Sequence, residues 1–269
     1  VSLLDITGLT IEIGGRRLVD GVSFAVAPGE RVGLIGESGS GKSLTCFALS
    51  GLLPSAATVA GSIVFEGEEI VGADERRLSA LRGARIGMVF QEPATALDPL
   101  QTVGRQLVSG LMARRRLSRA ERLRESHRLA AEVGLPEPEA IVHRYPHELS
   151  GGQRQRVVIA GAMAAGPSLV VADEPTTALD VTVQARVLRL LEERCAAAGS
   201  GLLLVTHDMA VAMQTCDRIV VMRRGRIVEE GTPRQLIDAP ADAYTAMLVD
   251  AAYETSWQPA HEEKAEVAA

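Results

Sequence analysis

Aromatic residues are scarce in this chain: phenylalanine, tyrosine and tryptophan together make up 3% of its 269 residues. Hydrophobic residues make up 46%, so a sizeable core is available and it must be mainly aliphatic. Cysteine is sparse too. Cys46, Cys195 and Cys216 lie far apart, with neither metal-ligand spacing nor a disulfide framework, which points to three reduced thiols. A net charge of −6 lacks the basic excess of a nucleic-acid binder, so no nucleic acid is expected as a partner. Apolar runs long enough to span a bilayer are missing. The uncharged stretch Val157 to Ala172 is broken at Gly166-Pro167 and is too short to span. No signal peptide is visible, because Asp5 and Glu12 interrupt the N-terminal segment. The expectation is a soluble chain that reaches a membrane only through a partner.

Lysine is nearly absent. Of 28 basic residues only Lys42 and Lys264 are lysines, and Lys42 stands in Gly36-Glu37-Ser38-Gly39-Ser40-Gly41-Lys42-Ser43. That stretch has two glycines separated by four residues and followed by Lys-Ser, the pattern of a phosphate-binding loop. Apolar Val32, Leu34 and Ile35 before it read as a buried strand. Leu44, Cys46, Phe47, Leu49 and Leu52 after it are spaced for a helix. Glycines let the backbone N–H groups turn inward, and the helix start adds partial positive charge. A compact ammonium fits such a loop where a planar guanidinium does not. Lys42 is expected on the β- and γ-phosphates and the Ser43 hydroxyl on Mg²⁺, with Gly36 through Ser43 and the adjoining Leu44 around the nucleotide.

The rest of the chain alternates strands and helices. Strand signals over residues 3–35 are followed by a strand at Ser62–Phe65, a short helix at 75–82 and a strand from Arg85 to Phe90. Thr102 to Val133 reads as helical and arginine-rich, with Leu123, Ala130 and Val133 on one face and Gly134 as the stop. The cluster Arg114-Arg115-Arg116 reads as a solvated face. Leu169–Ala172 and Leu202–Val205 are continuous apolar runs, as strands covered on both faces require. A helix over 181–198 lies between them, with Val183, Val187, Leu190 and Leu191 on one side. Another helix at 208–216 and a hairpin around Arg224-Gly225 follow. This order predicts an α/β fold with a mainly parallel sheet, interrupted by a helical insertion over 92–156. The polar stretch from Tyr253 is expected to be frayed.

Asp173-Glu174 ends a buried strand. There an aspartate can hold Mg²⁺ and the neighbouring glutamate can polarise an attacking water. Ser150-Gly151-Gly152-Gln153 suits a helix start. Together with Gln91, Ala178-Leu179-Asp180 and His207, these motifs stand in the order that resembles the ATP-binding cassette (ABC) ATPases, over roughly residues 3–250. The resemblance implies a RecA-like P-loop NTPase core over 1–91 and 157–250. It also implies an N-terminal antiparallel β-subdomain, the inserted α-helical subdomain, and only a short polar tail over 251–269. It implies Glu174 as general base, Gln91 on Mg²⁺ and the attacking water, and His207 on the γ-phosphate. Asp180 would lie at a dimer interface, and Ser150, Gly151, Gly152 and Gln153 would complete the site of a second ATPase subunit.

The segments Gln91–Leu100, Tyr145–Ser150, Ala172–Ala185 and Ala243-Tyr244-Thr245 are similar to ATPase subunits of dipeptide, oligopeptide and nickel importers. This implies ATP and Mg²⁺ as cofactors, membrane permease subunits as partners and an extracytoplasmic solute-binding protein as an indirect one. It places the chain on the cytoplasmic face of the membrane. Many peptide-importer ATPases of this group carry a C-terminal cysteine cluster. Here no cysteine follows Cys216, which leaves a shorter nickel-type subunit or a lost tail as readings. A soluble cassette ATPase and a small-molecule P-loop kinase are the alternatives outside transport. The family usually stacks adenine on an early aromatic, and here Ile13 holds that place without a ring. Weak base selection follows. In thermal denaturation GTP should stabilise the protein about as much as ATP, and stabilisation by ATP alone would contradict this.

Overall fold

Alternating apolar and polar residues fold the first third of the chain into hairpins. β1 (Leu4–Ile13) buries Leu4, Ile6, Leu9 and Ile11, and β2 (Arg16–Val26) buries Val19, Val22, Phe24 and Val26. Gly14 and Gly15, at φ of 57° and 74°, form the two-residue turn between them, the geometry that matches the right-handed twist of paired strands. β3 (Arg31–Ile35) then leaves for a second sheet and runs into the phosphate loop and α1 (Lys42–Ser50). β4 (Ala57–Phe65) returns to pair with β1, and β5 (Glu68–Glu69) pairs with β4, giving a four-stranded antiparallel sheet β2-β1-β4-β5. After α2 (Glu75–Leu81), whose first turn Asp74 caps, comes β6 (Ile86–Val89). This computed structural model describes residues 2–177 and 180–254. Ala178 and Leu179, and residues 255–269 of the expected tail, lie outside the described residues.

Six helices separate β6 from the next strand: α3 (Pro93–Ala96), α4 (Val103–Leu107), α5 (Ser109–Arg114), α6 (Arg119–Glu132), α7 (Pro138–Ile141) and α8 (Gly151–Met163). The stretch read as helical from Thr102 is thus three helices. Ser118 starts α6 with a reciprocal capping box to Glu121. α6 turns Ser126, Leu129 and Ala130 inward, with buried Val133 after it. Leu123 lies on the face of Ala130 as expected, but it is not buried there. It lies a turn nearer the helix start, beside an open cleft with Arg105 and Arg122, and is 43% exposed. The arginine cluster is partly anchored, since Arg114 donates to the Ala165 carbonyl and Arg115 pairs with Glu125. The expected insertion boundary at 156 falls inside α8, which continues to Met163 against β6.

β7 (Leu169–Asp173), α9 (Val181–Ala198), β8 (Gly201–Thr206), α10 (Met209–Thr215), β9 (Arg218–Arg223), β10 (Arg226–Gly231), α11 (Pro233–Asp238) and α12 (Ala243–Glu254) complete the chain. Residues 251–254, expected in the tail, are the last turn of α12, and Ala252 there is buried. The second sheet has the order β10-β9-β3-β8-β7-β6, parallel except for β10 at its edge. Every residue of β7 and β8 is buried. Their side chains alternate between two cores. Val170, Ala172, Leu202 and Leu204 face the helices α8–α10, while Leu169, Val171, Leu203 and Val205 join the β-subdomain and α1. That two-sided cover is why these strands are unbroken apolar runs.

α8 approaches β6 so closely that a Cβ on Gly87 would sit 2.5 Å from the Ala162 carbonyl oxygen. Backbone at that distance must shift. Gly87→Ala should therefore lower stability by about 1–3 kcal/mol in urea denaturation, and an unchanged midpoint would contradict the close approach.

Candidate functional site

The phosphate loop is built by close approach. A Cβ on Gly41, at φ of 104°, would come within 2.8 Å of the Leu18 carbonyl, and one on Gly36 would overlap the Met222 carbonyl. Only glycine passes between β2 and β9 at these points. Lys42 is buried, and its ammonium turns back to donate to the carbonyls of Gly36 (2.7 Å) and Glu37 (2.9 Å). Burial pulls its pKa below the ordinary lysine value, opposed by the nearby charges of Glu174 and Asp173. From outside, the Gly225 N–H donates to the Ser40 carbonyl at 2.9 Å, and the Glu37 N–H donates to the Tyr244 hydroxyl at 2.7 Å.

A cleft of 760 Å³ opens over this loop. It brings Glu37, Lys42, Ser43, Gln91, Glu174 and His207 into one space, with Ser38, Gly39, Gly41 and Leu44 in its wall. Gly36 lies beneath the loop, and Ser40 is buried behind it. Glu174 is the hub. Its Oε2 accepts from the Gln91 amide and from the Thr177 hydroxyl, both at 2.9 Å, and its Oε1 lies 3.2 Å from His207 Nδ1. Its backbone sits at φ of 46°, a left-handed conformation that a non-glycine residue adopts at some cost and that is frequent at functional positions. The side chain of His207 is 59% exposed, whereas that of Glu174 is 15% exposed.

Two wall residues were missed by sequence reasoning. Thr177 stands three residues after Glu174 and carried no motif signal of its own. Leu18 lines the cleft in the region where Ile13 was expected to meet the base, and Ile13 does not line it. The Gly14-Gly15 turn ends β1, and the strand that passes the loop on the way back is β2, which brings Leu18 against Gly41.

Ser150, Gly151, Gly152 and Gln153 lie outside this cleft, at the start of α8. The Ser150 hydroxyl accepts from the Gln153 N–H at 3.3 Å, and the Gln153 side chain accepts from the Ser150 N–H at 2.9 Å. Gly152 faces the first turn of α9, where a Cβ would meet Val183 at 2.9 Å. Asp180 caps α9 through the Val183 N–H and also lies outside the cleft.

Asp173 is 4% exposed, and its Oδ1 has no hydrogen-bond partner. Burial raises its pKa above the ordinary carboxylate value, while the neighbouring Ser43 hydroxyl favours the ionised form. Ser43, Asp173 and Gln91 share an adjoining cleft. An orphaned carboxylate oxygen, a hydroxyl and an amide oxygen are hard donors that fit Mg²⁺. Among the described residues no group of three or more His, Cys, Asp or Glu side chains could hold a metal by itself. A cation here would need nucleotide phosphates and water for the rest of its shell.

A parallel sheet whose carboxyl-end loops carry a phosphate loop, an acidic pair and a histidine defines a nucleotide triphosphatase. The sequence model described as ABC transporter matches residues 19–177, and the chain belongs to that family of ATPases. It is 43% identical to the probable peptide ABC transporter ATP-binding protein y4tR of Sinorhizobium fredii, over 92% of this chain and 76% of that one. It is equally 43% identical to the oligopeptide transport ATP-binding protein OppD of Salmonella typhimurium, over 93% and 76%. Among solved structures it resembles cbiO1 from Clostridium perfringens, part of the ABC transporter complex cbiONQ, with a TM-score of 0.76 and 27% identity over 88% of this chain and 91% of that one. A dimeric post-hydrolysis state of the ATP-binding cassette MJ0796 bound to ADP and Pi gives 0.75 and 29% over 86% and 99%. Among the described residues no helix is long and apolar enough to cross a membrane.

The raised pKa of Asp173 has a sign that can be tested. Ionised and buried, it costs stability above the ordinary carboxylate range, and the cost vanishes at lower pH where folded and unfolded forms are both protonated. Asp173→Asn should raise the melting temperature of the nucleotide-free protein at pH 7.5, by an amount that shrinks toward pH 4, while ATP hydrolysis falls roughly 10²–10³-fold. A lowered melting temperature at pH 7.5 would contradict the assignment.

Proposed function

We propose that this chain is the ATP-hydrolysing subunit of an importer for di- or oligopeptides, working as a head-to-tail pair at the cytoplasmic face of the membrane. One observation carries the pairing. The cleft gathers Lys42, Gln91, Glu174 and His207 but leaves Ser150-Gly151-Gly152 facing outward on another surface. A helix start with exposed N–H groups is suited to a γ-phosphate, and it belongs to the cleft of a second subunit, identical or paralogous. Gln153 holds that start in shape, and Asp180 caps the neighbouring helix at the same rim.

ATP entering the cleft brings its β- and γ-phosphates onto the Lys42 ammonium, whose three donors can serve phosphate and loop carbonyls together. Ser43, Asp173 and Gln91 would hold Mg²⁺, which would supply positive charge to offset the charge that develops in the transition state. Glu174 accepts a proton from the attacking water as the water oxygen bonds to the γ-phosphorus, and the bond to the ADP oxygen breaks. His207 and Thr177 hold the Glu174 carboxylate in place. Gln91 donates its amide N–H to Glu174 and leaves its oxygen for Mg²⁺ and the attacking water, so it shifts as these bind and leave. Gln91 stands at the end of β6, where the helices α3–α8 begin. Its movement therefore accompanies a movement of those helices against membrane permease subunits, with an extracytoplasmic solute-binding protein acting on the far side. The peptide transport names of the similar sequences support the substrate class.

Glu174→Gln should keep MgATP binding, slow hydrolysis by about 10²–10⁴-fold and elute as a dimer with ATP in size-exclusion chromatography. Normal turnover would remove Glu174 as the base. Membrane permease subunits should co-purify with the wild-type chain from its native membrane, and their absence would favour a cassette ATPase uncoupled from transport.

A further inference from the structure

α6 opens with charge placed where it costs the helix. Arg119 and Arg122 stand in its first turn, three residues apart, on the same face as Leu123 and Ser126. Two like charges at that spacing repel each other, and the start of a helix carries the positive end of its dipole. Glu121, the acid of that turn, is bound back to the Ser118 N–H in the capping box. The chain has carboxylates to spare, with 34 acidic residues against 28 basic ones, and it uses them nearby. Arg128 pairs with Glu125 and Glu132, and Arg115 pairs with Glu125. Among the described residues Arg119 and Arg122 make no ion pair.

Both arginines line a cleft of 390 Å³ between α4, α6 and the end of α7, together with Arg105 and His143. Arg105 acts on Asp98 through space without forming an ion pair. The floor of the cleft is fixed by backbone bonds. The N–H groups of Val103 and Gly104 donate to the carbonyls of Arg144 and Val142, each at 2.9 Å. Gly104 permits this, because a Cβ there would come within 2.9 Å of the Val142 carbonyl oxygen and 3.3 Å of the Ser126 hydroxyl. Ser126 is 2% exposed, and its hydroxyl donates to the Leu123 carbonyl at 2.8 Å, which leaves its oxygen as an acceptor. Buried Val108 and Val142 supply an apolar wall.

We infer that this cleft binds a phosphate ester, its anion held by Arg105, Arg119 and Arg122 and its small organic body against the valines. Three guanidinium groups without carboxylate partners match a group that carries close to two negative charges, and the planar fork of arginine pairs with phosphate oxygens two at a time. A concave site with walls of low dielectric focuses the field of like charges and concentrates anions there. The Ser126 oxygen can accept from a hydroxyl of the ester. The ligand, in place of a carboxylate of the chain, offsets the repulsion at the start of α6. The cleft lies among the inserted helices and shares no residue with the cleft over the phosphate loop, so it stands apart from the hydrolysis proposed above. The ester can be free in solution or the headgroup of a lipid, and the test separates the two.

Calorimetry of the full chain with glycerol 3-phosphate at constant ionic strength should give a Kd of about 0.1–1 mM, the range for so small a ligand. The double substitution Arg119→Gln and Arg122→Gln should raise that Kd about 10-fold or more, through the loss of two charge-assisted contacts. Its melting temperature without ligand should stay equal or rise, because the repulsion is gone. Lys42→Ala should bind the ester as the wild type does, which separates this cleft from the phosphate loop. Vesicles of phosphatidylcholine containing phosphatidic acid identify the source. Co-sedimentation that is lost in the double variant marks a lipid headgroup, and binding of the soluble ester without co-sedimentation marks a free metabolite. Wild-type protein that binds neither probe would overturn the proposal, as would an unchanged Kd in the double variant or loss of binding in Lys42→Ala.

Discussion

A loop that offers its N–H groups to an anion cannot also use them to hold itself together. The phosphate loop meets this constraint by taking its support from outside. Glycines at 36 and 41 let β9 and β2 press against it. The Gly225 N–H and the Tyr244 hydroxyl fix two of its backbone groups, and Lys42 bridges two of its carbonyls. The supports come from parts of the chain some 20 to 200 residues away in sequence, and for that reason the loop has a defined shape before any ligand arrives.

Around the loop, the sheet order does the assembly. Neighbouring parallel strands β3, β8, β7 and β6 deliver at their carboxyl ends the phosphate loop, His207, Glu174 and Gln91 in turn. Strands about 5 Å apart place these groups within reach of one another without any loop having to stretch. The hydrogen bonds from Gln91 and Thr177 to Glu174 and the approach of His207 are the result. The left-handed backbone of Glu174 turns its carboxylate back over the strand ends, and the Glu174 N–H bonds to the Val205 carbonyl of β8 to keep it there.

Much of this was readable in the sequence, for identifiable reasons. β7 and β8 are apolar on both faces because helices or strands cover both, and that leaves an unbroken run. The phosphate loop, Asp173-Glu174 and His207 follow such runs directly, so strand and site were found together. What escaped depends on which segments meet in space. Leu18 reaches the cleft because β2 folds back past Gly41, whereas Ile13, at the end of β1, does not line it. Thr177 and Tyr244 lie in segments that the family resemblance marks, but their hydrogen bonds to Glu174 and to the Glu37 N–H depend on contacts no local pattern shows. Leu123 has an apolar spacing, but no partner covers the first turn of its helix. The end of the insertion was drawn at a change of composition, whereas α8 runs through it as one rod.

The capping box at Ser150 bears on how two subunits would meet in the proposed head-to-tail pair. The serine oxygen is engaged by the Gln153 N–H, but the hydroxyl proton is not needed for that bond and remains free to donate. One oxygen stiffens the start of α8 while its hydrogen is left for another partner. A facing molecule therefore meets a donor array whose ordering entropy was lost when the chain folded, not when the two surfaces come together. In the proposed pair, association at this rim would be correspondingly sharp: either matched to a phosphate in place or poorly matched, with little adaptable middle ground.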